Sequence, residues 1–250
     1  MKYAEEFRDP KAARALLARI DAFARRASSS PAEPEIIELE INPLICNDLD
    51  VIAVDARIQV EYPPPQVPVY GHMAIHPYPQ HLIERVPLPD GTDLTIRPIS
   101  PEDAQMEQDF VRNLSDQTKY FRFMQTIKEL TPEMLVRFTQ IDYDREMALV
   151  AVVNEHTPRA RILGVARYVS NPDRQSCEFA LTVADEWQKK GIGRQLMQRL
   201  MTVARDRGIE IMEGEVLSNN SKMLRLCEKL GFRAVHSTED PDVVEVRRHL

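Results

Sequence analysis

The run Gln188-Lys189-Lys190-Gly191-Ile192-Gly193-Arg194 is the stretch on which the fold turns. It follows an apolar segment at 177–183 and opens an amphipathic one at 192–207, where Leu196, Leu200, Val203 and Ala204 recur at helical spacing and Gly208 ends the pattern. Two glycines one residue apart allow a turn whose backbone N–H groups converge on one point. The helix that follows adds its own unpaired N–H groups and the positive end of its dipole. Lys189, Lys190 and Arg194 concentrate cationic charge there. Strand, turn and helix in this order read as a cradle for a pyrophosphate. The plain alternative is a tight strand–helix connection with a solvated basic rim. The run is no P-loop, because GxxxxGK[ST] is missing. It is no dinucleotide fingerprint either, because the third glycine and the ribose-binding acid are missing.

Outward from this turn, strands are expected at 92–97, 147–153, 162–169, 177–183, 209–217, 232–236 and 243–248. Helices are expected at 192–207 and 221–230, the second ended by Gly231. Ser100-Pro101-Glu102-Asp103 and Thr131-Pro132-Glu133 are helix starts, with a hydroxyl cap, proline in the first turn and acids at the positive helix end. The order β-α-α-α-β-β-β-α-β-α-β-β predicts an α/β (α+β) domain, a mixed sheet with helices packed on it.

The Gln-x-x-Gly-x-Gly run, between a fourth strand and a long helix, resembles the acetyl-CoA signature of the GNAT N-acetyltransferase superfamily. The later stretch Asn219-Asn220-Ser221-Lys222-Met223-Leu224-Arg225-Leu226-Cys227-Glu228-Lys229-Leu230-Gly231-Phe232 resembles that superfamily's closing motif, an Asn, a helix and Leu-Gly-Phe. The resemblance covers about 91–250. It implies a mostly antiparallel sheet flanked by helices, splayed at one strand pair to admit the pantetheine arm. It also implies that the strand at 177–183, with Leu181 and Val183, binds pantetheine. Gln188, Lys189, Lys190, Gly191, Ile192, Gly193 and Arg194 would then hold the pyrophosphate, and Asn220 would meet pantetheine, cap the helix, or do both.

The chemistry such a domain implies is attack of an amine on a thioester. A lysine amine of pKa about 10.4 must lose a proton at pH 7, at a cost on the order of 4–5 kcal/mol. A general base is the usual remedy. Glu178 is the candidate, ten residues before Gln188, since some protein-acetylating members of the superfamily carry a catalytic Glu in this Glu-Phe-Ala setting. The plain alternative is an outward, solvated strand carboxylate. Cys177 should face the opposite side and is not proposed as a nucleophile. One position departs from the family pattern. Many members have a Tyr, as general acid, four residues before the Gly of Leu-Gly-Phe, and here that position is Cys227. A thiol leaving group of pKa about 8.5 needs little help, so Cys227 is expected to be a helix-core residue.

Ahead of this domain, Pro63, Pro64, Pro65, Pro68, Pro77, Pro79, Pro87 and Pro89 crowd one stretch, read as a semi-rigid linker over 62–90. The piece before it, 1–61, is expected to hold a helix capped by Asp9 and Pro10, then a hairpin of strands at 35–42 and 51–60 joined by Asn47-Asp48-Leu49-Asp50. Glu38-Leu39-Glu40-Ile41-Asn42-Pro43-Leu44 with Val51-Ile52-Ala53-Val54-Asp55 resembles the last hairpin of an ATP-grasp domain of the NDP-forming acyl-CoA synthetase type. In that family the Asn and the Asp, here Asn42 and Asp55, bind Mg²⁺ beside ATP. The rest of an ATP site is not in the chain, so 1–61 is expected to be an ATP-grasp remnant and no metal is expected.

The combination of an NDP-forming synthetase-like region and a GNAT domain resembles the C-terminal part of bacterial protein lysine acetyltransferases. It implies acetyl-CoA as donor and a protein lysine as acceptor, such as that of an AMP-forming acyl-CoA synthetase. Two other readings share the cofactor site: a small-molecule amine acetyltransferase, whose acceptor groove would be shaped by 116–140 with Asp116, Tyr120, Phe121 and Phe123, and a non-catalytic acyl-CoA sensor. His72, His76 and His81 are irregularly spaced and lack acidic or cysteine partners nearby.

Composition agrees. The 250 residues carry 32 Lys+Arg against 39 Asp+Glu, a net charge of −7, which disfavours nucleic-acid and anionic-membrane partners. No apolar run approaches the roughly 20 residues of a membrane span. The charged N-terminus is no secretory signal. Three widely spaced cysteines imply neither a disulfide framework nor a zinc site. A cytoplasmic protein is expected.

Overall fold

The computed structural model describes residues 35–46, 51–61, 76, 78–87, 91, 93–236, 240 and 242–250. The chain divides into two compact units, Met1–Pro77 and Tyr78–Leu250. The helix expected near Asp9, the acidic turn at 47–50, most of the proline-rich stretch and His72 lie outside the described residues.

The first unit contains the expected hairpin, as two ladders that keep one register, with a bulge near its start between Ile36 and Glu38. Strand β1 (Glu35–Ile41) pairs antiparallel with β4 (Ala56–Glu61), and β2 (Leu44–Cys46) pairs with β3 (Val51–Ala53). Between the two ladders, the Asn42 N–H donates to the Asp55 carbonyl at 3.2 Å and the Val54 N–H to the Pro43 carbonyl at 3.1 Å. Pro43 has no N–H to offer a ladder, so the ladder is interrupted there while the register is kept.

The second unit starts earlier than the boundary expected at residue 91. Strand β5 (Glu84–Pro87) pairs antiparallel with β6 (Asp93–Pro98) at the edge of an eight-stranded sheet. Proline is tolerated on an edge strand, whose outer N–H groups need no partner. Part of the expected linker is therefore sheet. The order across the sheet is β11-β12-β10-β9-β8-β7-β6-β5, with β7 (Glu146–Val153), β8 (Arg161–Ser170), β9 (Ser176–Val183), β10 (Ile211–Leu217), β11 (Arg233–His236) and β12 (Val243–His249). Seven neighbours pair antiparallel or, in one case, parallel: β9 with β10. This is the mixed, mostly antiparallel sheet that was expected.

Helices cover both faces. Helices α1 (Ala104–Asn113), α2 (Asp116–Phe123) and α3 (Pro132–Thr139) lie on one side. Helices α4 (Ile192–Asp206) and α5 (Ser221–Lys229) lie on the other. Side chains alternate along a strand, so central β7 sends Ala148, Val150 and Val152 into the core under α1 to α3, and Met147, Leu149 and Ala151 into the core under α4 and α5. Its unbroken apolar run is what burial on both faces requires.

The helix starts form where the caps are. The Ser115 and Thr131 hydroxyls accept from the N–H groups of Thr118 and Met134. Ahead of α1, the Ser100 N–H donates to Asp103 at 2.8 Å, and Arg97 grips the same carboxylate with two hydrogen bonds of 2.7 Å. Asp103 thus joins β6 to the turn that leads into α1.

Candidate active site

Strands β9 and β10 are in register only over Ser176–Ile211, Cys177–Met212 and Glu178–Glu213. Beyond Glu178, β9 stays paired with β8 and β10 stays paired with β12, but no longer with each other. The sheet opens into a V whose vertex is the Glu178–Glu213 pair. One edge of β9 over 179–183 therefore presents alternate backbone N–H and C=O groups to the opening. Gly214 makes the divergence possible at close quarters, since a Cβ there would lie 2.8 Å from the Phe179 ring.

The V leads into a cleft of about 380 Å³. Of the residues singled out from the sequence, Leu181, Val183, Gln188, Lys189, Gly191, Gly193, Arg194 and Asn220 line it together. Lys189 and Gly191 both have positive φ, 65° and 89°, so successive N–H groups of the turn curl inward. Glycine is the residue that adopts this conformation without strain. Gly193 lets the first turn of α4 approach β9: an added Cβ would meet Leu181 at 3.3 Å. Gln188 is held at both ends, donating to the Val183 carbonyl at 3.3 Å and accepting from Lys222 at 2.9 Å. Asn220 caps α5, accepting from the Met223 N–H at 3.2 Å, while also lining the cleft.

Two of the expected binding residues are placed differently. Lys190 stands over the Trp187 ring, its Nζ 4.0 Å from the centroid, and does not line the cleft. Ile192 is fully buried in the core, which leaves only its backbone near the turn.

Several cleft residues were not singled out from the sequence. Lys222 and Lys229 on α5 bring further positive charge to the same opening as Lys189 and Arg194. Asp185 fastens β9 to α2, accepting from the Ser115 N–H and hydroxyl, both at 2.8 Å, and from the Thr118 hydroxyl at 2.6 Å. Burial alone would raise its pKa, but these hydrogen bonds outweigh it and hold the carboxyl below the usual range. Asp185 and Trp187 stand between Val183 and the turn, so adjacency could have flagged them. Arg122 and Lys229 carry no local signal, because only packing brings α2 and α5 to β9.

Glu178 stands at the vertex and is solvent-exposed. It points to the face of α1 to α3, with Ala180 and Thr182, while Cys177, Phe179 and Leu181 enter the opposite core. Desolvation is the main cause that raises its pKa, Glu215 and Glu213 add repulsion, and Arg122 partly opposes them. Cys177 is fully buried and Cys227 is 2% exposed. Burial pushes each thiol up to about 12. Cys227 thus stands in the core and does not line the cleft, as expected of a helix-core residue.

The arrangement suits an elongated, anionic thioester. It offers a strand edge for an amide-bearing arm, a left-handed turn and helix start for a pyrophosphate, and lysines and arginine for further phosphate. Among the described residues no group of three or more His, Cys, Asp or Glu is placed to hold a metal ion.

Comparison with known proteins agrees with this geometry. Residues 110–232 match the model of the acetyltransferase (GNAT) family. The chain is 38% identical over 153 residues to Acetyltransferase PA5475 of Pseudomonas aeruginosa, covering 61% of this chain and 82% of that protein. It is 30% identical over 150 residues to Acetyltransferase Pat of Mycolicibacterium smegmatis, 60% of this chain, and spans only 43% of that protein's length. The crystal structure of the GNAT domain of S. lividans PAT superposes with a TM-score of 0.63 at 31% identity, covering 69% of this chain and 99% of that domain. The family match covers the glycine turn and the capped final helix, and the chain belongs to the GNAT acetyltransferase family.

Proposed function

We propose that this acetyltransferase moves the acetyl group of acetyl-CoA to the ε-amine of a protein lysine, with Glu178 as general base. The observation that carries this reading is the place where β9 and β10 part: the last paired residue of β9 is Glu178. A thioester reaching into the V along 181–183 would bring its carbonyl toward that carboxylate. Desolvation and the charges of Glu215 and Glu213 raise the Glu178 pKa, toward the range in which a base works best near neutral pH.

The lysine nitrogen forms a bond to the thioester carbonyl carbon as the C–S bond breaks. The amine proton passes to Glu178, directly or through one water, and then to solvent. The sulfur leaves as thiolate. Backbone N–H groups at Gly191, Gly193 and Arg194 hold the pyrophosphate, and the open edge of β9 holds the pantetheine arm.

The acceptor is assigned from architecture. The hairpin of the first unit, with Asn42 and Asp55 joined by a backbone hydrogen bond, is read as an ATP-grasp remnant, and this pairing with a GNAT domain resembles cytoplasmic bacterial enzymes that acetylate AMP-forming acyl-CoA synthetases.

The test is thiol release from acetyl-CoA with an AMP-forming acyl-CoA synthetase as acceptor, read with mass spectrometry of its lysines. Lysine acetylation by the native chain, lost with Glu178→Gln, is the expected result. Faster acetylation of a polyamine or antibiotic amine than of any protein would remove the lysine assignment and keep the donor site.

A further inference from the structure

Arg122 is, among the described residues, a cation without a counter-ion in the wall of the cleft. It stands in the last turn of α2 and lines the cleft beside Thr182. On its inner side it borders a small void shared with Glu107, Phe138 and Arg167. Its guanidinium carbon lies 5.0 Å from the centre of the Phe123 ring and 5.8 Å from that of Phe138. Among the described residues it makes no hydrogen bond and no ion pair. The nearby carboxylate serves Arg167 instead, whose Nη2 is 3.6 Å from Glu107 Oε1 and whose guanidinium also covers Phe138 at 4.3 Å. Two guanidiniums thus stand near one carboxylate, which pairs with Arg167 alone. Glu107 Oε2 and the Thr182 hydroxyl are both buried without a partner. Desolvation first, and then repulsion from Arg167, pull the Arg122 pKa down to about 10, against the attraction of Glu107 and Glu178.

Such a group gains most from an anion that arrives with the substrate. An acetyl group ends in a methyl and brings no charge. A lysine acceptor brings positive charge, which Arg122 repels. The pyrophosphate is taken by the N–H groups of the glycine turn that follows Val183, with Lys189 and Arg194 beside it. The remaining source of negative charge beside Thr182 is the acyl chain itself.

We propose that this chain also accepts acyl-CoA donors whose acyl chain ends in a carboxylate, malonyl or succinyl, with Arg122 forming a forked contact to that carboxylate and the Thr182 hydroxyl donating to it. The proposal rests on the acyl-transfer reading above and adds a donor class to the same site. The step is unchanged: the lysine nitrogen bonds to the thioester carbonyl, the C–S bond breaks, the amine proton goes to Glu178, and the distal carboxylate is untouched. The lysine side chain passes from one positive to one negative charge.

The experiment compares succinyl-CoA with acetyl-CoA on the full chain, by calorimetric binding and by kcat/KM with a protein acceptor. Wild-type protein is expected to use succinyl-CoA at least a tenth as well as acetyl-CoA. The succinyl-to-acetyl ratio is expected to fall at least tenfold in Arg122→Gln, since one charge-assisted forked contact is lost. A wild-type ratio below one tenth, or a fall of less than tenfold, overturns the proposal. If Arg122→Gln does not fold, Thr182→Val decides in its place, with a fall of at least threefold expected and a smaller one overturning it. If Arg122→Gln instead changes the preference between an amino-acid acceptor and its amide, with the donor ratio intact, the carboxylate belongs to the acceptor and the proposal fails. Should both donors bind but neither acylate a protein lysine, the lysine reading fails, and the binding ratio still decides the role of Arg122.

Discussion

At the scale of single residues, the V between β9 and β10 gives Glu178 and Gly214 opposite duties. As the proposed base, Glu178 would work only as a carboxylate, so kcat/KM should rise as pH climbs through its raised pKa. Glu178→Gln is expected to lower kcat about 10²- to 10⁴-fold, to flatten that acid limb, and to leave the acetyl-CoA dissociation constant within about threefold. A full acid limb in the variant's pH–rate profile would assign the titration to another group. Gly214 is fixed by space, since its Cβ position lies 2.8 Å from the Phe179 ring. Gly214→Ala must push that ring, which packs 5.1 Å from Phe232. Overpacking of this kind costs about 1–3 kcal/mol. Urea unfolding should show that loss, and an unchanged midpoint would mean that the strands can slide apart freely.

At the scale of elements, the helices stand where caps and ion pairs anchor them. Asp103 is 2% exposed and accepts from four donors at once: the Ser100 N–H and hydroxyl and both terminal nitrogens of Arg97. Arg97 also donates to Glu155 at 2.6 Å, so β6, the turn before α1 and the loop after β7 meet at one guanidinium. Asp103→Ala leaves a largely buried cation short of one partner and is expected to cost about 3 kcal/mol, the lower part of the range for broken buried pairs. Urea melts would measure it. A cost under about 1 kcal/mol would mean that Glu155 alone satisfies Arg97. The residues of this knot were legible as a helix start, because Ser100-Pro101-Glu102-Asp103 carries cap, proline and acids. Its partner was not, because Glu155 lies 58 residues from Arg97.

At the scale of the whole molecule, the division at Pro77 and Tyr78 predicts that residues 78–250 bind acetyl-CoA on their own. Cleft, vertex and both cores lie within that unit. Calorimetry on this piece should give the affinity of the full chain within about threefold, and loss of binding would show that the first unit supports the site. The sequence by itself determined the strand and helix order, the glycine turn, the capped final helix and the family they point to. These rest on local chemistry: periodicity, cap residues and backbone freedom at glycine are properties of adjacent residues. Only the tertiary structure decided that β5 extends the sheet into the proline-rich stretch and that Lys190 is turned onto Trp187. It alone placed Glu178 at the point where the sheet opens and left Arg122 without a counter-ion. Each of these depends on which distant side chains share a desolvated space, and no run of neighbouring residues encodes that.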